Sequence, residues 1–320
     1  MIRLVNLGDS SEATVQPQEL AARNLQNLWL ELVDPTEEEL QAVSDATQVP
    51  INFLRTPLSH SLVNWRYELS FTIISFLVMQ DVASTKDVYP VVLAFSKDFL
   101  VTVAPSDIQP IVNLAKQRLS KSKLDPPSFV AYCIIDEIVA DNYLQIEKLE
   151  SLTSEIEEEI LEKTSQDTLK KIFSLKSNMV SFNKILWYER GLIFDLRKCG
   201  DTTCLTGKVR SLFDTTHEDL TRQIDIVETY REILSDAINV HLSAVSNKIN
   251  LSIQSLTVVI FYLTIVTTVT SFPNTVATFF GISQFGQTDV AIIAVAILLS
   301  IVLPFVWLWR KNWLKYRNDL

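Results

Sequence analysis

Two long runs without charged side chains lie near the end of this sequence. From Leu251 to Thr288 there are 38 consecutive residues without Asp, Glu, Lys or Arg, and after Asp289 the run Val290–Trp309 adds 20 more. A helix needs about 20 mainly apolar residues to cross the roughly 30 Å hydrocarbon core of a bilayer. The sequence therefore predicts an integral membrane protein with two spans, the first at about 254–280 and the second filling the shorter run.

Charge divides the chain into an acidic part and a short basic tail. Residues 1–250 carry 24 Lys and Arg against 36 Asp and Glu. Nucleic-acid binding depends on Lys and Arg displacing counterions from phosphates, so an acidic domain argues against such a partner. The tail after the second span is basic, with a cluster formed by Arg310, Lys311 and Lys315. We expect this cluster to attract the acidic run at 155–162 near the inner membrane face.

The distribution of basic residues also predicts the orientation in the membrane. Lys and Arg concentrate on the cytoplasmic side of membrane spans. The connection at 281–289 has none, whereas the tail at 310–320 has four. We therefore expect a multi-pass protein of the cell membrane, with both termini in the cytoplasm and the connection outside. The first ten residues lack the apolar core of a signal peptide.

The chain reads as an α+β cytoplasmic domain followed by long helices. The first 125 residues contain strand-like runs, such as Tyr67–Val78 and Pro90–Val103, and helical stretches, such as Thr36–Val43. Pro35 and the three glutamates at 37–39 are a helix-start signal, with acidic residues in the first turn. Two long helices are expected at 128–164 and 166–198. The predicted organisation is an α/β domain at 1–125, a helical hairpin at 126–206, a stalk helix that continues into the first span at 207–282, an outer loop at 281–289, the second span at 290–309 and the tail at 310–320.

A polar stripe runs along the stalk and through the first span. Its residues are spaced by seven: Asn250, Thr257, Thr264, Ser271 and Thr278. On an ideal helix, two residues seven apart point in directions that differ by only about 20°. Ser and Thr in membrane helices often bond their own backbone or help helices to pack. A run of polar residues at one spacing favours instead the lining of a pore between several copies.

Signatures of catalysis and of resident cofactors are missing from the sequence. The segment from Gly200 to Lys208 has one residue too many for a phosphate-binding loop, and Val209 stands where Ser or Thr should be. Cys199 and Cys204 have no second pair to complete a metal site. We therefore predict that the chain is not an enzyme and has no cofactor.

Several segments resemble the CorA-type divalent-cation transport proteins, in order along almost the whole chain. Trp29–Leu40 is similar to that family's tryptophan-to-acidic-helix segment, and Ile134–Tyr143 is similar to its first long helix. Val227–Glu232 and Ser246–Asn250 resemble the stalk. A Leu-Thr pair, a proline and a glycine turn follow in the family's order, and Arg310–Leu314 resembles its closing basic cluster.

This resemblance implies a funnel-shaped homopentamer in membrane lipid, with one central pore. It implies transport of Mg²⁺, with Co²⁺, Ni²⁺ or Zn²⁺ as further substrates, driven by the membrane potential. It also implies gating by cytoplasmic divalent ions held by carboxylates, for which Asp214, Glu218 and Asp219 are the expected ligands.

The sequence departs from the family at the outer pore mouth. Gly281-Ile282-Ser283, followed by Asp289, stands where the family has Gly-Met-Asn. Three functions stay open: a divalent-cation channel, a proton-coupled Zn²⁺ transporter of the same fold, and a non-conducting membrane-anchored scaffold. The register of the pore helix stays open by one heptad, because both Leu256-Thr257 and Leu263-Thr264 match the family's Leu-Thr pair.

Overall fold

The computed structural model describes most of the chain as far as residue 279. It covers residues 1–9, 11–20, 23–55, 63–68, 70–84, 87–119, 126–162, 166–199 and 204–279, with isolated positions between 286 and 306. Two compact units are present, Met1–His241 and Leu242–Leu320. The first contains a sheet with flanking helices, and the second contains the end of a long helix.

A mixed seven-stranded sheet is the centre of the first unit. Its order is β2-β1-β3-β7-β6-β5-β4, and every neighbouring pair is antiparallel except β3 and β7, which are parallel. The strands are β1 (Ile2–Asn6), β2 (Glu12–Thr14), β3 (Leu28–Val33), β4 (Asn64–Glu68), β5 (Phe71–Met79), β6 (Val88–Phe95) and β7 (Phe99–Ala104).

Each predicted strand-like run contains parts of two strands. The run Pro90–Val103 is divided by a turn in which the Ser96 hydroxyl accepts hydrogen bonds from the backbone N–H groups of Asp98 and Phe99, at 3.0 and 3.2 Å. The strands on either side then pair as a hairpin. The polar residues Ser96-Lys97-Asp98 mark this turn in the sequence. The strands on either side are apolar almost throughout, because they are buried on both faces, and the short polar interruption makes the whole run resemble one strand.

Short helices cover the sheet, and the start predicted at Pro35 is confirmed. They are α1 (Pro17–Leu20), α2 (Glu37–Thr47), α3 (Ile51–Leu54) and α4 (Gln109–Gln117). Thr36 caps α2 in a reciprocal pair: its hydroxyl accepts from the Glu39 backbone N–H at 3.3 Å, and the Glu39 carboxylate accepts from the Thr36 N–H at 2.9 Å. This capping box satisfies two N–H groups that a helix terminus otherwise leaves free.

Three long helices make up the rest of the described chain. They are α5 (Pro127–Glu162), α6 (Gln166–Lys198) and α7 (Gly207–Phe279). α7 begins directly after Thr206, whose hydroxyl accepts from the backbone N–H of Val209 at 3.4 Å and whose backbone carbonyl accepts from that of Arg210 at 2.9 Å. Buried side chains recur along α6 at three- and four-residue intervals, including Ile172, Leu175, Met179, Phe182 and Leu186. They share one core with residues of α5 and of α7 as far as Ala237.

Candidate functional site: a polar stripe on α7

The C-terminal part of α7 is both apolar and exposed. Among the described residues, one helix is long and apolar enough to cross a membrane, and its most apolar 18-residue window has a mean hydropathy of 1.9 with no residue buried. Large apolar side chains such as Val258, Val259, Leu263 and Val266 are open to the surroundings. They need lipid or neighbouring helices to cover them.

The threonines of the stripe point their hydroxyl protons back into their own helix. The hydroxyls of Thr257 and Thr264 donate to the carbonyl oxygens of Ile253 and Ile260, both at 2.8 Å. Thr278 donates to the carbonyl of Asn274 at 2.7 Å. With the proton engaged, each exposed hydroxyl oxygen keeps lone pairs that face outward, so it acts as an acceptor.

Asn250 and Ser271 complete the stripe with exposed side chains. Back-bonding alone does not distinguish the stripe, because Thr270 on another face also donates to a carbonyl four residues earlier, that of Val266, at 2.9 Å. What distinguishes the five residues is their spacing, which keeps them within about 80° of arc on an ideal helix.

The three carboxylates suggested as regulatory metal ligands lie on one segment of α7 and face different neighbours. Asp214 is exposed and ion-paired with Arg197 at the edge of a cavity of about 350 Å³ that Lys198 and Arg210 also line. Asp219 lies 3.4 Å from Arg222, and Glu218 is exposed. Within the described residues no group of three or more His, Cys, Asp or Glu side chains is placed to hold a metal.

Other candidates lie outside the described residues. They are the outer pore mouth, with Gly281, Ile282, Ser283 and Asp289, and the basic cluster of Arg310, Lys311 and Lys315. Cys133, Cys199 and Cys204 form no disulfide, and the Cys204 thiol donates to the backbone carbonyl of Ser70 at 3.2 Å.

A buried polar cluster joins the three long helices, and sequence reasoning missed it. Glu189 of α6 is fully buried and accepts a hydrogen bond from the Asn142 amide of α5 at 3.2 Å. Gln223 of α7 donates to the backbone carbonyl of Val139 at 2.7 Å. Removal from water raises the pKa of the Glu189 carboxyl to about 8, against the weaker lowering effect of the Asn142 hydrogen bond. One signal was available in the sequence: Glu189 lies three residues after Leu186 and four before Ile193, so it continues the row of buried positions along α6.

Comparisons with known proteins show where this architecture occurs. Residues 24–311 match the family model described as "CorA-like Mg2+ transporter protein". The cobalt/magnesium transport protein CorA of Methanocaldococcus jannaschii is 23% identical over 318 residues, which covers 95% of this chain and 96% of the relative. That of Thermotoga maritima is 34% identical over 132 residues, but this stretch covers only 41% of this chain and 37% of the relative.

Solved structures support the same fold. The complete structure of the CorA magnesium transporter from M. jannaschii aligns with a TM-score of 0.73 at 19% identity, over 98% of both chains. The full-length CmaX protein aligns with a TM-score of 0.68 at 13% identity, over 97% of this chain and 96% of the other. The ZntB cytoplasmic domain from Vibrio parahaemolyticus aligns with a TM-score of 0.59 at 13% identity, over 77% of this chain and 98% of that domain.

The family consists of ion transporters, in agreement with the prediction that the chain is not an enzyme. The family model matches most of the chain, and the solved structures share its α/β domain and its long C-terminal helix. The chain therefore belongs to the family of CorA-like Mg²⁺ transporter proteins.

Proposed function

We propose that this chain is one subunit of a homopentameric channel that carries divalent cations, Mg²⁺ first among them, across the cell membrane. Both termini lie in the cytoplasm, and two spans per subunit cross the bilayer. The observation that carries the proposal is the polar stripe of α7, formed by Asn250, Thr257, Thr264, Ser271 and Thr278. The names of the relatives, which are cobalt/magnesium transport proteins, agree with this cargo.

The chemistry of the stripe suits a cation that keeps its water. Mg²⁺ gives up its water ligands reluctantly, so a hydrated ion presents outward-pointing O–H donors to the wall of a pore. Hydroxyls whose protons are held by backbone carbonyls, as at Thr257 and Thr264, offer oxygen acceptors to these donors. An ion in this pore would therefore exchange bulk water for acceptors at intervals of about 10 Å, the length of seven helical residues.

Several copies are needed, because a polar stripe on one helix faces lipid unless other helices cover it. Arranged around an axis, the stripes enclose a path while the apolar faces of α7 contact neighbouring helices and lipid. A membrane potential of −100 mV supplies about 4.6 kcal/mol to an inward-moving divalent ion. Transport along that gradient requires no resident cofactor, and the divalent cation is the substrate.

Regulation by cytoplasmic divalent ions is a further part of the proposal. The exposed Glu218 and the half-buried Asp219 would provide oxygen ligands, completed by side chains of a neighbouring subunit. Asp214 is the weakest of the three suggested ligands, because Arg197 already neutralises it. Glu218→Gln together with Asp219→Asn should raise the cytoplasmic Mg²⁺ concentration that closes the channel, and an unchanged closing concentration would remove these residues from the site.

The direct test is Mg²⁺ flux into liposomes that contain the purified protein, read with a trapped fluorescent indicator. We expect flux in the parent protein and loss of most of it in a variant with Thr264→Leu and Ser271→Leu. Thr270→Leu is the matched control, because Thr270 is back-bonded in the same way but lies about 120° away from the stripe on an ideal helix. Equal losses in both variants would contradict pore lining by the stripe.

The alternatives give different results in the same liposomes. Flux of Zn²⁺ that requires a proton gradient, with no movement of Mg²⁺, would identify a proton-coupled transporter. The absence of flux for Mg²⁺, Co²⁺ and Zn²⁺ under every gradient would favour a non-conducting scaffold. Both outcomes would overturn the proposal of a Mg²⁺ channel.

A further inference from the structure

One outward face of α6 is apolar and basic, which is unusual in a chain whose first 250 residues are strongly acidic. Phe173, Val180, Trp187 and Phe194 recur every seven residues along it and are 42 to 55% exposed. Such a repeat aligns side chains along one line of a helix. Isolated apolar side chains on a surface are ordinary, but an aligned row is typical of an interaction site.

The charged residues on this face are all cations. On an ideal helix, residues within about 40° of the line through Val180 include the exposed Lys184 and also Lys198, and no Asp or Glu. Lys176, at the edge of this arc, is half-buried and donates to the Ser235 hydroxyl of α7 at 2.8 Å. Cations also lie over the exposed rings: Lys198 Nζ is 3.8 Å from the centroid of the Phe194 ring, and the Arg190 guanidinium is 3.9 Å from that of Trp187. We call this surface the α6 face.

The outward face of α5 has the opposite character. Within about 40° of the line through Ser151 lie Glu147, Glu155 and Glu158, all exposed, and no Lys or Arg. Leu144 lies on the same line and is 59% exposed. We call this surface the α5 face. It matches the α6 face in charge, and Leu144 can contribute apolar contact to the exposed row.

Residues of the two faces also lie at equal distances along the hairpin formed by α5 and α6. Leu144 and Lys184 lie at the same number of residues before and after position 164, between the end of α5 and the start of α6. In a cyclic assembly whose axis runs along the hairpin, Leu144 of one subunit would therefore lie level with Lys184 of the next, between Val180 and Trp187. Contacts between two different faces of identical subunits close into rings when the rotation allows it.

We propose that the α6 face of each subunit docks on the α5 face of the next copy of this chain. This inference rests on the proposed homo-oligomer and names the surface that joins its cytoplasmic parts. The charges complement each other, with lysines on one face and glutamates on the other, and opposite charges across an interface favour the correct partner and register. The aromatic side chains supply the apolar contact that such interfaces concentrate at their centres.

Cysteine cross-linking in the full-length protein tests the pairing. Leu144→Cys and Val180→Cys are introduced together with Cys199→Ser, and the protein is treated with a short bis-maleimide. We expect a ladder of covalent products from dimer to closed ring in the double variant, because each subunit contributes both faces. Single variants should give no ladder. Ser174→Cys, also exposed on α6 but about 120° from the row, replaces Val180→Cys in the control and should give no ladder with Leu144→Cys.

A second variant tests the energy of the contact. Val180→Glu places a carboxylate in the row opposite the glutamates, and Ser174→Glu adds the same charge elsewhere on the helix. We expect Val180→Glu to raise the protein concentration at which the assembly dissociates in detergent at least tenfold, and Ser174→Glu to leave it unchanged. Equal effects of the two variants would overturn the proposal.

Mass measurement and flux on the same samples separate this inference from the proposed function. A conducting oligomer without the ladder would refute this contact and leave the channel standing. A monomer without flux would refute both. Cross-linking of Val180→Cys alone to dimers would indicate pairing of two α6 faces and overturn the proposal. Protection of a label at position 180 in nanodiscs of anionic lipid, but not of neutral lipid, would assign the face to the membrane surface and also overturn it.

Discussion

The buried carboxyl of Glu189 should make the first compact unit, Met1–His241, less stable as the pH rises towards 8. A carboxyl with a pKa of about 8 in the folded state and 4.5 in the reference state binds a proton in the folded protein that the unfolded chain has lost. Stability then falls with rising pH between these two values, because the folded state holds more protons. Below about 4.5 and above about 8 this group contributes no further change.

The expected size follows from the width of this window. Each pH unit within it corresponds to about 1.4 kcal/mol, so the whole window amounts to about 5 kcal/mol. Between pH 5.5 and 7.5 the free energy of unfolding should fall by about 3 kcal/mol because of Glu189 alone. For a unit of this size, that is a decrease in Tm of roughly 5–10 °C.

Glu189→Gln isolates this contribution, because glutamine has the shape of a protonated glutamate and can still accept from Asn142. Thermal unfolding of the full-length protein in detergent, followed by circular dichroism from pH 5.5 to 8, provides the measurement. The variant should lose the pH-dependent decrease in Tm, so the difference between its Tm and that of the parent should grow as the pH rises. Glu157→Gln, at an exposed position of α5 outside the α5 face, serves as the control and should run parallel to the parent. Parallel curves for Glu189→Gln and the parent would refute the reasoning.

Three further substitutions test the described contacts by chemical unfolding. Thr36→Ala removes the cap of α2 and should cost about 1 kcal/mol, whereas Thr36→Ser should cost little; equal losses would deny the capping role. Phe182→Ala empties a fully buried site of α6 and should cost about 3–5 kcal/mol, and a loss under 1 kcal/mol would mean that this core is loosely packed. Lys116→Met removes the nearer cation of the buried Glu31 carboxylate, at 2.8 Å, and leaves only Arg3 at 3.9 Å. It should cost up to about 3–5 kcal/mol, much of which Glu31→Gln in the same chain should restore if the pair is the cause.

The long helices and the stripe could be predicted because they depend on local periodicity. The candidate span on α7 follows from the absence of charge over a length set by the bilayer, and the stripe follows from a spacing of seven on one helix. The start of α2 followed from Pro35 and the glutamates after it, and its capping box is local as well.

The positions of the site residues relative to other elements could not be predicted in the same way. Arg197 and Asp214 lie on different helices, and their ion pair shows only in the folded chain. The ion pair makes Asp214 a poorer candidate for a metal ligand, although the sequence alone does not distinguish it from the neighbouring acidic residues. The α6 face likewise looks like an ordinary alternation of apolar and basic residues until the structure shows which positions of the helix are buried.

The sequence by itself determined that this chain has a charge-free segment long enough to span a membrane, helices on either side of 163–165, and a polar line along α7, because each of these is a repeat read within one element. Only the tertiary structure decided the order of the sheet strands, in which β3 pairs in parallel with β7 some 70 residues later. It also decided the burial of Glu189 beside Asn142, 47 residues earlier in the chain. These features join residues from distant parts of the chain, and their energies come from packing and from exclusion of water, which no local pattern records.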